Sequence, residues 1–427
     1  LDDHASRDFL MARTVHIIGA GLSGLSAAVR LTQAGVPVVV HEATAQAGGR
    51  CRSYYDHALG ATIDNGNHLL LSGNRAAISY LRLIGGEHAL TGPVRTEFPF
   101  IDLASGERWT LRPNDGRFPT WIFSSSRRVP RTRMRDYLSI GRLLRAPPNA
   151  PIGSVMNCSG AVYERLWRPF LLAALNTEPP QAASGLAAAV VRETLVAGGR
   201  AYRPLIARDG LSAALIDPAL RYLAARNAPV HFEHNLRALN VAGGRAFELD
   251  FGGETIQLGP MDAVVLAVPP WMAKTLLPGL ETPDEFRAIV NAHFRIAPPK
   301  DSPLMIGVVN GTIEWIFAFP GRLSVTISAG DRLVSMPREQ LAQTIWREVA
   351  QVAGVADALP PWQIVRERRA TFAALPEQNA KRPEAQTAWE NLVLAGDWTA
   401  TGLPATIEGA IRSGEGAAEA LGVRVDR

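Results

Sequence analysis

Gly19, Gly21 and Gly24, followed by Glu42 and then by Gly48-Gly49-Arg50, are the residues of this chain best suited to holding a dinucleotide. The first three lie in the run Gly19-Ala20-Gly21-Leu22-Ser23-Gly24. A glycine at 19 permits a tight turn, and one at 21 lets backbone N–H groups approach a pyrophosphate. A glycine at 24 lets a helix pack closely on a strand. Leu22 and Ser23 open that helix, whose N-terminus offers partial positive charge to phosphate. Glu42 stands 18 residues beyond Gly24, where a carboxylate can accept from both ribose hydroxyls. Gly48 and Gly49 make a flexible turn, and Arg50 brings a guanidinium to the same pyrophosphate.

The neighbouring sequence supplies the elements that must position these groups. Val15-His16-Ile17-Ile18 reads as a buried strand, Leu25 to Leu31 as a helix, and Gly35 as its stop. Val36 to His41 then forms a second strand that closes on Glu42. Strand, glycine turn, helix, strand and acid appear in the order of a dinucleotide-binding βαβ unit. Farther on, Leu304 to Val309, Ile313 to Phe319 and Leu323 to Ser328 are separated by Asn310-Gly311 and Pro320-Gly321. That spacing predicts an antiparallel meander.

Composition narrows the classes. The 427 residues are 47% hydrophobic and 20% charged, which excludes a disordered chain and allows large cores. Cys51 and Cys158 are the only cysteines, too few for a disulfide framework, and the expected compartment is reducing. The histidines show no ligand spacing, so no metal site is expected. The best apolar run, Gly185 to Val191, stops at Arg192, far short of a membrane span. The first ten residues carry Asp2, Asp3, Arg7 and Asp8 and read as an extension before a natural start at Met11. A cytosolic protein is expected.

With Glu42 and Gly48-Gly49-Arg50 in place, the sequence resembles the flavin-containing amine oxidase and phytoene desaturase superfamily, where these motifs form one signature for FAD. Later segments agree. Val230-His231-Phe232 and Leu236 to Leu239 resemble the family's middle return to the FAD domain, with Leu236 near adenine. Asp262 to Pro270 resembles its buried strand with a proline stop, and Asn391 to Asp397 a strand closing on Gly396-Asp397 at the ribityl or phosphate region. Thr406-Ile407 then begins a helix whose N-terminus would face the flavin O2/N1 edge and stabilise negative charge there. The resemblance implies an α/β fold: a Rossmann-like FAD-binding domain from residues 11–75, 201–270 and 386–427. Residues 76–200 and 271–385 would form an interleaved α+β substrate domain roofed by the antiparallel sheet.

The string Ile63-Asp64-Asn65-Gly66-Asn67-His68 through Asn74 is more polar than amine oxidases tend to carry. It resembles the squalene-associated branch of the family, the hydroxysqualene dehydroxylases, as do Trp167-Arg168-Pro169-Phe170 and Ala395 to Thr399. Asn65, Gly66, Asn67 and His68 are thereby expected beside the flavin. The branch's reaction replaces the hydroxyl of a C30 isoprenoid by hydrogen, using hydride from reduced FAD. Hydroxide leaves poorly, so a proton donor is required. Asp64, His68 and Glu314 are the candidates, although Asp64 also suits a backbone-bonding turn, His68 a structural hydrogen bond and Glu314 a solvent-facing place on the roof. A carotenoid-type desaturase or an amine oxidase would use the same scaffold with hydride running toward the flavin. A non-catalytic isoprenoid carrier of the GDP-dissociation-inhibitor type would not need the retained nucleotide signature.

The expected partners are an isoprenoid substrate and a separate electron donor, since no second strand-linked glycine motif follows Gly24. No cysteine follows Cys158, so the resemblance implies noncovalent FAD. Net charge is only +4, yet seven arginines fall between Arg127 and Arg145 against the single acid Asp136. The segment suits a solvated helix face; with Met134, Leu138, Leu143 and Leu144 interleaved, it is also expected to hold the protein at the inner surface of an anionic membrane. No nucleic-acid module surrounds it.

Overall fold

Val15–Ile18 lies at the centre of a five-stranded parallel sheet ordered Val230–His231, Val38–His41, Val15–Ile18, Ala263–Leu266 and Leu392–Leu394. This is seen in a computed structural model that describes residues 13–425, so the expectation for the first ten residues and Met11 lies outside the described residues. Strands covered on both faces read as continuous Val, Ile and Leu, as these do. Strand order reverses beside Val15–Ile18, and the crevice at the carboxyl ends there is where such sheets bind ligands. Two helices, Leu22–Gln33 and Ile407–Ala420, pack together against this sheet. They can do so because Gly414 has no side chain: a Cβ there would lie 2.2 Å from Ser23 O.

The expected meander is present as Met305–Val309, Trp315–Phe319 and Arg322–Ile327, at the centre of a larger seven-stranded sheet. Phe286–Phe294 and Trp362–Phe372 extend it on one side. On the other side the hairpin Phe98–Asp102 and Arg108–Leu111 joins through a parallel pairing of Phe100 with Gly307. One face of the sheet, with Ile306, Val308, Ile316 and Val325, packs on the helix Arg338–Ala353. The opposite face presents Phe100, Trp109, Trp315 and Phe317 to the helical segment around Trp167 and Leu171.

Val230–His231 joins the parallel sheet, and Ala238–Ala242 opens a separate three-stranded antiparallel sheet with Arg245–Asp250 and Thr255–Gln257. The Asn391 side chain ties that sheet down, donating to Ala246 O and accepting from Ala246 N at 2.9 and 2.8 Å. Among the described residues, no helix is long and apolar enough to cross a membrane.

Candidate active site

Gly19 turns the chain with φ +107°, and a Cβ there would lie 2.5 Å from Ala267 O. At Gly24 a Cβ would fall 1.9 Å from Gly19 O, so helix and strand approach too closely for any side chain. Gly21 is different, because nothing lies within 4 Å of its Cβ position. It heads the helix Leu22–Gln33, whose first turn has neither a side-chain cap nor an acid. An open helix start with uncapped N–H groups at Leu22 and Ser23 fits a diphosphate. The Gly48-Gly49 turn rests directly on this one, with Gly48 N donating to Ala20 O at 2.8 Å.

Glu42 is buried at the end of its strand, where Oε2 accepts from Ala20 N at 2.8 Å. Its Oε1 accepts from Thr44 N and Oγ1 at 3.0 and 2.8 Å. A carboxylate offers about four acceptor positions, so capacity for a ribose hydroxyl remains. Behind Glu42 lies a histidine cluster that the sequence reading did not single out. His41 Nε2 is 3.2 Å from His16 Nδ1, and its Nδ1 is 2.9 Å from His234 Nδ1. Burial, then the neighbouring imidazoles, push His41 down to about 3, so His41 braces the turn as a neutral ring. Leu236, two residues past His234, is buried.

Arg50 joins the two ends of the chain. Its Nη2 lies 2.7 Å from Asp397 Oδ1 and its Nη1 donates to Ala370 O at 2.5 Å. Gly396 donates to Ser413 Oγ at 2.9 Å. Arg382, also missed in the sequence, is buried and reaches the carbonyls of Asp397 at 3.2 Å, Trp398 at 3.4 Å and Thr399. It thus fixes the loop that presents Asp397. Thr406 caps the helix Ile407–Ala420, accepting from Gly409 N at 3.0 Å, and Ile407 is buried beneath it. Arg50, Asp397 and Trp398 line one cleft with Trp271, Arg369 and Thr371.

The loop Asn65 to His68 sits on the large sheet. Asn67 Nδ2 donates to Val325 O and Thr326 Oγ1 at 3.3 and 3.2 Å, and Asn291 Nδ2 donates to Asn65 O at 3.4 Å. Gly66 is held close to Asn291, since a Cβ there would be 3.2 Å from Asn291 Nδ2. Thr326 pairs across strands with both Asn291 and Trp315, so these side chains share one face.

The three candidate proton donors occupy different environments. Asp64 is buried, and its Oδ1 accepts from Ser53 Oγ at 2.6 Å and Leu211 N at 2.8 Å. Burial raises its pKa against these bonds, and the contacts make it a tie between backbone segments. The His68 ring makes no hydrogen bond among the described residues, and burial with the nearby Arg50 charge pushes it down to about 4. Glu314 lies immediately before the strand carrying Trp315 and accepts from Ser328 N at 2.8 Å. It lines a cavity with Arg168, Leu172, Val308 and Arg332. Burial pushes it up to about 7, against the Ser328 bonds and the charges of Arg332 and Arg168.

Comparison with known proteins accords with this arrangement. The profile of the flavin containing amine oxidoreductase family matches residues 22–297 and 310–422. The chain is 62% identical over 410 residues to a hydroxysqualene dehydroxylase of Rhodopseudomonas palustris, covering 96% of this chain and 98% of that one. It is 58% identical over 409 residues to a hydroxysqualene dehydroxylase of Sinorhizobium fredii, with 96% and 98% covered. Among solved structures, cyclohexylamine oxidase from Brevibacterium oxydans superposes with a TM-score of 0.70 at 16% identity, over 96% of this chain and 98% of the other. That likeness speaks to fold alone. The chain is a flavin-dependent oxidoreductase that belongs to the flavin containing amine oxidoreductase family, on the branch of the hydroxysqualene dehydroxylases.

Proposed function

We propose that the chain reductively removes the hydroxyl of hydroxysqualene, with FAD held noncovalently and Glu314 as proton donor. The near-full-length likeness to hydroxysqualene dehydroxylases carries the substrate and reaction. When bound and reduced, FAD would supply the hydride. Gly21, Leu22 and Ser23 would hold its pyrophosphate, with Gly49 and Arg50 beside them and Glu42 on the ribose. Gly396, Asp397, Thr406 and Ile407 would frame the flavin end, with Asn65 to His68 opposite. The carbinol oxygen takes the Glu314 proton, the C–O bond breaks, water leaves and hydride completes the C–H bond. His68, pushed down to about 4, is unprotonated near neutral pH and suits positioning rather than proton donation.

The apolar wall suits this substrate. Trp109, Trp167 and Trp315 are buried in the same core cluster, and their Nε1 atoms have no hydrogen-bond partner. A carbinol oxygen entering beside them gives such a donor an acceptor, and indole faces stabilise positive charge developing on carbon. The oxidised protein requires a separate electron donor for each turnover. Incubation with hydroxysqualene and reduced flavin donor under anaerobic conditions is expected to yield squalene and water. Recovery of unchanged alcohol alongside fully reduced protein would reject the reaction.

Two further outcomes follow at the cofactor. Cys51 is buried, and burial pushes its thiol up to about 12, leaving it a poor nucleophile. Acid or heat is expected to release all flavin to the supernatant; flavin retained on the polypeptide would exclude noncovalent binding. Glu42→Ala is expected to weaken FAD binding by about one to two decades, since charge-assisted hydrogen bonds contribute roughly 1.5–3 kcal/mol. Fluorescence titration of the apoprotein measures this, and an unchanged affinity would remove Glu42 from the ribose site.

A further inference from the structure

The expectation that Met134, Leu138, Leu143 and Leu144 together enter a membrane needs correction. Leu143 is buried in the core and Leu144 is half-buried. Arg127 and Arg128 are spent on the carbonyls of Arg112, Pro113 and Ile122, and Arg131 pairs with Glu107 at 3.1 Å. The segment is two short helical turns, Met134–Ser139 and Ile140–Leu143, rather than one amphipathic helix.

What the structure exposes instead is a different set. Phe118, Phe123, Met134 and Leu138 are 70%, 57%, 41% and 65% exposed. Four of the nine large apolar side chains exposed among the described residues thus fall within one short stretch. They stand on a fixed base. Asn114 holds the first loop, donating to Phe118 O at 2.8 Å and accepting from Trp121 N at 3.2 Å. Trp121 meets the Tyr137 ring edge-on at 5.5 Å, and Tyr137 OH accepts from Val129 N at 2.9 Å. Residues 112–145 contain nine arginines and two aspartates. Arg117, Arg133, Arg142 and Arg145 are exposed and make no ion pair among the described residues.

We propose that the loops bearing Phe118, Phe123, Met134 and Leu138 are the surface by which this protein docks on an anionic lipid bilayer. This deepens the function proposed above and rests on it only for the need to reach a membrane. Apolar tips among unpaired guanidiniums complement acyl chains beneath anionic headgroups. A second copy would bring the same positive charges face to face, which disfavours self-association there. The underside of these loops, Trp121, Tyr137 and Leu143, belongs to the same apolar cluster as Trp109, Trp167 and Trp315. The docking surface therefore backs onto the wall proposed for substrate.

Flotation of the flavin-loaded full chain with vesicles tests this. The probes are phosphatidylcholine alone and phosphatidylcholine mixed with phosphatidylglycerol. The parent is expected to float with the mixed vesicles and to be released by high salt. Phe118→Ser with Leu138→Ser, and separately Arg117→Glu with Arg133→Glu, should each lower partitioning by about tenfold to a hundredfold. Flavin content and turnover in detergent micelles should stay at the parent level. A parent that never floats, or variants that float like it, would overturn the proposal. A parent dimer that becomes monomeric in the Phe118→Ser/Leu138→Ser variant would assign the face to a second copy and overturn it equally. The assay contains no substrate, so its failure leaves the dehydroxylation reading intact, and failed product formation leaves the docking result intact.

Discussion

Glu314→Gln is expected to lower turnover of hydroxysqualene by about 10²–10⁴-fold, the usual contribution of a positioned general acid. The replacement keeps the shape and an oxygen to accept from Ser328 N, so it removes the proton while sparing the local bond. Glu314 immediately precedes Trp315, and its carboxyl lines the cavity shared with Arg168, Leu172, Val308 and Arg332. Its carboxyl is pushed up to about 7, so it is largely protonated below that pH and loses its proton as pH rises through it. The rate should therefore fall about tenfold per pH unit above 7 in the parent. The Gln variant should lack that limb, while bound flavin remains stoichiometric. A variant with the parent rate and pH profile would move the acid elsewhere, with Asp64 next to test.

The βαβ unit proposed to hold the cofactor was legible because its constraints are local. The turn Gly19 to Gly24, the helix after it and Glu42 fall within one βαβ unit, where each glycine answers a separate steric demand. The meander was legible for the same reason, through its turn residues. The first insertion's hairpin was not, because the parallel pairing of Phe100 with Gly307 joins remote segments and leaves no local pattern. Asn291 and Thr326 were missed although a signal existed: a polar residue inside the apolar run Ala288 to Ala292 marks a buried hydrogen bond. Arg382 gave no such sign, since its partners are carbonyls that only the folded loop brings together. The arginine segment misled for a converse reason. Alternating charge and apolarity suggested one amphipathic face, but the chain breaks into short turns that send Val129, Tyr137 and Leu143 inward and Leu138 outward.

Breaking the contact between the helices Leu22–Gln33 and Ile407–Ala420 is expected to cost most in stability. Arg30 from Leu22–Gln33 and Glu415 from Ile407–Ala420 form a buried pair, with Nη2 to Oε1 at 2.5 Å and Nε to Oε1 at 3.1 Å. In Glu415→Ala the guanidinium stays buried and keeps only Ser79 Oγ at 2.9 Å and Gln33 Oε1 at 3.3 Å. An uncompensated buried charge of this kind costs about 3–5 kcal/mol. For a chain of this length that lowers Tm by roughly 3–6 °C, readable by flavin fluorescence during heating. Leu22 and Thr406, at the N-termini of these two helices, are among the residues proposed to hold FAD, so loosened packing should also weaken cofactor affinity. Added FAD should then recover part of the loss, about 2.7 kcal/mol at a free concentration of 100 Kd. The double variant Arg30→Met/Glu415→Leu separates charge from packing. It removes both charges while keeping bulk at the interface, and should be at least as stable as the parent within about 1 kcal/mol. If Glu415→Ala melts like the parent, the pair contributes nothing net. If the double variant melts as low as Glu415→Ala, the loss came from helix packing around Gly414 and not from a stranded charge.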